Sequence, residues 1–395
     1  MAFFFFPIIL FHGLFAQTDS GNYRDCRFRI SLLTCTPGKE LYSTFGHSAL
    51  RVTDSSAGTD IIFNYGTFDF DDPGFYSKFT RGKLLYFVSI EKFDSFIEDY
   101  KYEQRGITEQ ALNLSCSEKE NLVAALYENA KEENKYYKYD FVYDNCTTRL
   151  RDIVFKNAIG LIVTKNIRPE KDVTFRNLIH EYLDKNYQYW SKLGIDILMA
   201  SPVDKKISNN EAMFLPDYLL KGFDSTTINK KPLVSAKMEI LKPTLPLNKG
   251  PFLSPFSIFL ILFVVMTVLS FIKNTGKFFS VFDFLLFFLS GILGILILFM
   301  WFGTDHQACR NNFNLSWALP FHFIIVFFIY KKWDWLRYYF LMNAILLLLL
   351  LIFWKWLPQE MNNALLPFVA LLLLRSLVRF KKPGKRNGKR NFTSG

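Results

Sequence analysis

Residues 141–155 read FVYDNCTTRLRDIVF. Asp144 or Asn145 can cap a helix whose first turn holds Cys146, Thr147 and Thr148, with Leu150, Ile153 and Val154 continuing it on one face. A thiol in that turn meets unpaired backbone N–H groups and the positive end of the helix dipole, and both favour the thiolate. Arg149 and Arg151 add positive potential, opposed by Asp144 and Asp152. Arg149 is thereby a candidate substrate-binding residue. The plainer alternative for Cys146 is a structural cysteine opening a packed helix.

A thiolate enzyme needs a base, and the region between residues 17 and 250 offers two histidines. His47 lies in STFGHSALRV, where Gly46 allows close backbone approach and the strand that follows gives rigid support. His180 lies in FRNLIHEYL, a helical stretch without special neighbours, and reads as an ordinary satisfied histidine. A third group should fix the imidazole tautomer. Asn64 or Tyr65, from IIFNYGTFDF, can supply it if that strand lies beside the His47 strand, although Asn64 could equally cap a turn.

Around these residues, 27–34, 48–53, 61–65 and 84–90 read as strands, being β-branched, aromatic or alternating. Residues 117–131 read as a helix with Ser117 and Glu120 at capping-box spacing. Residues 160–240 are mixed and polar and yield no clear elements. The five cysteines are Cys26, Cys35, Cys116, Cys146 and Cys309. Nine strand steps would hold Cys26 and Cys35 roughly 30 Å apart, beyond disulfide reach. Cys116 could pair with either, but reads first as a small buried hydrophobe. No CxxC or His/Cys cluster points to a metal, and nothing points to a cofactor.

The 395-residue chain is half hydrophobic, with 44 Phe and a net charge of +11. The charge is not spread evenly. Residues 1–250 balance 32 basic against 32 acidic side chains, whereas residues 251–395 hold 15 against 4. The basic excess belongs to the apolar half, so it reads as a topology signal and argues against a nucleic-acid surface. The opening 16 residues, MAFFFFPIILFHGLFA, resemble a secretory signal peptide, which would export residues 17–250. Pro243, Pro246 and Pro251 make a stiff linker into the apolar half.

From residue 253 the texture changes. Residues 253–272 and 284–302 are charge-free runs of about one bilayer core. Residues 315–330, 338–354 and 363–374 need flanking residues to span, the last if Arg375 and Arg379 snorkel to the interface. Five spans are expected over 251–380, with a basic tail at 381–395. With the soluble half outside, 13 basic residues fall inside and two, Arg310 and Lys355, outside. The outer loop 303–320 gathers Asp305, His306, Arg310, Asn312 and Asn314, and ends in Trp317 and Pro320. It reads either as a solvated connector or as a floor to the Cys146 site. In the second reading His306, Arg310 and Asn314 would hold a headgroup or an acceptor backbone.

The order of a strand histidine, a polar residue on the next strand and a cysteine at a helix start resembles circularly permuted papain-like folds. These are the NlpC-like and lecithin-retinol-acyltransferase-like enzymes. More closely, FGHSALRV, NYGTFDF and YDNCTTRLRD resemble the N-terminal domain of the bacterial Lnb-type lipoprotein N-acyltransferases, and GTDHQACRNNFNLSWALP resembles that family's C-terminal part. The resemblance implies an α+β thiol domain followed by an all-α membrane bundle, set in the inner membrane with the thiol domain in the periplasm and the C-terminus in the cytoplasm. It implies Cys146 as nucleophile and His47 as base, a phospholipid as acyl donor and a diacylated lipoprotein as acceptor. The alternatives are a membrane-anchored cysteine peptidase or amidase acting on cell-wall peptide, and a non-enzymatic sensor or scaffold.

Overall fold

The computed structural model describes residues 26–244, 250–331 and 333–381. The expected signal peptide, the basic tail beyond Lys381 and the part of the proline linker at 245–249 lie outside these residues.

The N-terminal domain is α/β. Its strands are β1 (Phe28–Cys35), β2 (His47–Asp54), β3 (Thr59–Thr67), β4 (Leu85–Lys92), β5 (Ile107–Leu112) and β6 (Tyr136–Lys138). Beyond them come a small sheet of β7 (Ile162–Thr164), β8 (Thr226–Ile228) and β9 (Lys231–Pro232), and then β10 (Val234–Leu241). The main sheet runs β10-β5-β1-β2-β3-β4-β6, every pair antiparallel. Period-2 alternation gives it two buried faces. Leu32, Leu50 and Phe63 face one core, while their neighbours Leu33, Ala49 and Ile62 face another.

The helices of this domain are α1 (Phe75–Thr80), α2 (Phe93–Tyr102), α3 (Cys116–Asn129), α4 (Cys146–Asn157), α5 (Phe175–Lys185), α6 (Tyr189–Leu198), α7 (Asn209–Ala212) and α8 (Pro216–Ser225). Helix α4 lies against β2 and β3, with Leu150 and Val154 fully buried in the first core. Helix α2 puts Phe96 and Tyr100 into the second. The four expected strands form, with each end within two residues of the expected one. Two expectations need correction. Helix α3 is capped by Ser115 with Glu118, not by Ser117 with Glu120: Ser115 Oγ accepts the Glu118 N–H, and the Glu118 carboxylate accepts the Ser115 N–H at 2.7 Å. Cys116 is not a free hydrophobe but pairs with Cys26, their Cα atoms 5.2 Å apart.

The apolar half holds α9 (Pro255–Leu269), α10 (Gly276–Phe302), α11 (His322–Ile325), α12 (Asp334–Ile352) and α13 (Leu366–Lys381). Among the described residues, three helical stretches are long and apolar enough to cross a membrane: α10, α12 and Asn363–Lys381. Helix α9 is apolar but only 15 residues long. The run expected at 315–330 is no continuous helix: short 3-10 turns flank the four-residue α11. Pro320 stands just ahead of α11, where a helix arriving from Asn314 would lose a backbone donor.

Arg375 and Arg379 do not snorkel. Both are buried on Asp283 of α10, with Arg375 Nε 2.6 Å from Oδ1 and Arg379 Nε 2.5 Å from Oδ2. Arg375 also donates to Ser270 Oγ and Arg379 to the Ile329 carbonyl, so this cluster gathers one end of the bundle. The opposite end meets the N-terminal domain through α6, whose Leu193 and Ile197 pack into the bundle core.

Candidate active site

The end of α4 is built from its cap. Asn145, buried, accepts the Thr148 N–H at 3.0 Å and the Thr147 hydroxyl at 2.6 Å, and its amide donates to the carbonyls of Phe141 and Phe214 at 2.7 and 2.9 Å. All four bonds hold the first turn rigid, and Cys146 is its first residue. The N–H at this position has no intrahelical acceptor.

His47 opens β2, and two glycines bring it and the thiol together. Gly46 sits at φ +80°, and a Cβ there would stand 2.6 Å from the Cys35 carbonyl oxygen. Gly66 sits at φ +93° where the β3–β4 register shifts, and a Cβ there would lie 3.6 Å from that of Cys146. The sheet thus makes room for the helix start at the point where the histidine arrives.

The His47 Nε2–H donates to Asn64 Oδ1 at 2.6 Å, which leaves Nδ1 for the thiol. Asn64 in turn donates to Glu91 Oε1 on β4 at 2.9 Å. Burial alone pushes the Cys146 thiol up, but the charge and hydrogen bond of His47 and the N–H groups of Ser48 and Thr147 outweigh it. The net position is below the ordinary thiol range. Burial alone pushes the His47 imidazole down, and the neighbouring Cys146 and Asn64 carry it above its ordinary value. Opposite shifts of this kind favour the thiolate and the imidazolium over the neutral pair.

The pair opens into a cavity of about 560 Å³, a size usual for small-molecule sites. Its walls include Phe45, Phe68, Phe79, Tyr86, Tyr139 and Leu215. His306, from the loop after α10, lines it too, its Nε2 donating to the Phe79 carbonyl at 3.2 Å.

The structure therefore brings together Cys146, His47, Asn64 and His306. The other three expected residues stand elsewhere. Arg149 grips Asp144 through two bonds of 2.6 and 2.8 Å and lies over the Tyr137 ring, so its charge is already matched. Arg310 is exposed and does not line the cavity. Asn314 is buried against α6, donating to the carbonyls of Asp196 and Ile197 and accepting from Trp317 Nε1. It serves the seam between the two halves. His180 is satisfied as expected, but by a specific partner, Asp196 at 2.8 Å. Tyr65 turns away from the site and accepts from Asn129.

Glu91 escaped the sequence reading. Its signal was faint: a charge in the strand after Ser89, whose alignment with Asn64 only the β3–β4 register reveals.

Two family models match the chain. The Lnb N-terminal periplasmic domain covers residues 15–181, and the Lnb transmembrane domain covers residues 247–386. No curated protein and no solved structure matches it. With the family's periplasmic domain carrying the cysteine–histidine cavity and its transmembrane domain following, the chain belongs to the Lnb-type membrane proteins.

Proposed function

We propose that the protein is a lipoprotein N-acyltransferase that moves an acyl group from a phospholipid, through a Cys146 thioester, to the amine of a diacylglyceryl-cysteine lipoprotein. In this reading the periplasmic domain has a permuted papain-like arrangement. Five apolar segments hold it on the inner membrane, with the C-terminus in the cytoplasm.

The Cys146 thiolate attacks the ester carbonyl carbon, forming a C–S bond. The C–O bond breaks, and His47 gives its proton to the departing lysophospholipid oxygen. The lipoprotein amine then attacks the thioester, forming a C–N bond as the C–S bond breaks. His47 takes the amine proton and the thiolate returns. Each tetrahedral oxygen needs donors, and the unspent N–H of Cys146 at the helix start is one. Asn64, braced by Glu91, keeps the imidazole in the tautomer that faces the thiol.

One observation carries this reading over peptide hydrolysis: most of the cavity wall is aromatic and aliphatic, although Glu91, Asp99, Glu103 and Arg105 also line it, and the loop that completes it, with His306, comes directly from the end of α10. A lipid ester can enter such a site from the bilayer. The test is mass spectrometry of lipoprotein N-termini in cells with the protein, without it, and with Cys146→Ala. Loss of the N-acyl mass in the last two supports transfer. Unchanged N-acylation in both contradicts it, and altered cell-wall peptides instead would favour the hydrolase.

A further inference from the structure

The cavity has an unusual mouth. On one side, the segment between β3 and β4 leaves Phe70 65%, Tyr76 79% and Phe79 51% exposed; on the other, Leu41 is 57% and Tyr42 68% exposed. Phe70, Phe79, Leu41 and Tyr42 line the cavity while facing outward. Exposed apolar side chains scattered singly need no explanation, but a contiguous set around an opening does. Arg81, Lys83 and Lys138 are exposed beside α1.

This lobe is tied to the end of a membrane helix. The Asp305 N–H donates to the Arg81 carbonyl at 2.9 Å, Lys138 pairs with Asp305 at 2.9 Å, and the backbone of Gly82 lies against the His306 ring. Asp305 is three residues beyond Phe302, the last of α10, and three residues reach at most about 11 Å. The Thr304 hydroxyl bonds back to the Met300 carbonyl at 2.6 Å, which shortens the reach. The headgroup layer outside a bilayer core is roughly 5–7 Å deep. The end of α1 is therefore held close to the end of α10, whose last two residues, Trp301 and Phe302, stack on each other. Aromatic rings with basic neighbours suit that layer, the rings at the edge of the acyl region and the cations on lipid phosphates.

We propose that the α1 lobe is a membrane-dipping lip: Tyr76 and Phe79 insert into the phospholipid surface beside α10, Arg81 and Lys83 rest on its phosphates, and the cavity opens sideways into the leaflet. The acyl-donor role of the lipid rests on the function proposed above; contact with the surface does not.

The experiment places benzoylphenylalanine at position 76, and in a control at exposed Glu132, in the full chain reconstituted in vesicles of phosphatidylethanolamine and phosphatidylglycerol. Photolysis followed by mass spectrometry reads the adduct. A phospholipid adduct at position 76 at least fivefold above the control supports the lip. Equal yields at the two positions, or an adduct to a second polypeptide, overturn it. The Tyr76→Asp variant gives a second readout. It should slow acyl transfer from vesicle phospholipid about tenfold while leaving Cys146 acylation by a short-chain water-soluble ester unchanged. Should Cys146 accept no acyl group from either ester while the crosslink forms, the lip stands and the acyltransferase reading falls.

Discussion

Removing the amide of Asn64 would leave the His47 Nε2–H without its 2.6 Å acceptor while sparing the thiol and the helix cap. Asn64→Ala should therefore lower transfer by about 10²-fold, the lower end of what a positioned acid–base group contributes. Glu91→Gln should cost less, since it weakens only the brace on Asn64. The pH profile of Cys146 alkylation by iodoacetamide separates positioning from folding. With Cys146 shifted down and His47 shifted up, the wild type should stay reactive below the ordinary thiol range, losing reactivity as acid protonates the thiolate. In Asn64→Ala the midpoint should move up towards an ordinary thiol, and an unmoved profile would show that Asn64 does not tune the pair. At this scale the sequence was informative where the chemistry is local. Cys146 and its cap sit within one turn, and Gly46 stands next to His47. Asn64 was one of two options, because which face of β3 meets His47 depends on pairing. Glu91 needed the register of a third strand. Arg149 misled, because a cation beside a thiol resembles a substrate anchor until its bond to Asp144 is seen.

The loops leaving the membrane helices show why polar residues between apolar runs are hard to read. Asn312 and Asn314 donate to backbone carbonyls of α6, Gln359 Oε1 accepts from the Phe313 N–H, and Asn362 donates to Asp196 at 2.8 Å. Asp196 is buried and also takes Arg176 at 2.6 Å and His180 at 2.8 Å. One carboxylate thus joins α5, α6 and the 362 turn. Asn314→Ala would leave the Asp196 carbonyl and the Trp317 indole N–H short of a partner, while Asn312 still serves the Ile197 carbonyl, and should destabilise by about 1–3 kcal/mol. Arg310→Ala, on an exposed side chain, should stay within about 0.5 kcal/mol. Thermal unfolding of the two variants in detergent checks the contrast, and equal melting temperatures would contradict the seam. The residues between 303 and 320 were recognisable as special from their composition, but not as a joint, because their partners lie over 100 positions away in a stretch with no readable pattern. The break in the 315–330 run and the burial of Arg375 and Arg379 on Asp283 have the same cause: hydropathy reports solvent preference and is silent about which neighbour meets it.

Across the whole molecule, contacts sort the bundle into two ends. Loops at 303–314 and 359–362 reach the N-terminal domain, while Ser270, Asp283, Ile329, Arg337 and Phe380 meet at the other end. Arg337, Arg375 and Arg379, three of the 13 basic residues expected on one side, stand at this second end. Single cysteines replacing Arg310 and Lys355 should react with a membrane-impermeant maleimide in intact spheroplasts, and those replacing Lys277 and Lys331 should not. Labelling of the Lys331 position would reverse the topology. The division into two halves was legible from composition alone, as a shift in texture near residue 253. How the halves dock was not, because it depends on α6, which the sequence left unassigned.

The central claim is that Cys146 carries an acyl group taken from membrane lipid, and the intermediate itself is the direct test. The full chain, reconstituted with phospholipid and without acceptor, would be digested and analysed by mass spectrometry. A hydroxylamine-sensitive acyl mass on the peptide containing Cys146, absent from Cys146→Ala and discharged when a diacylated lipopeptide is added, is the predicted result. An unmodified Cys146 peptide, with the lipopeptide still N-acylated by the Cys146→Ala protein, would contradict the account.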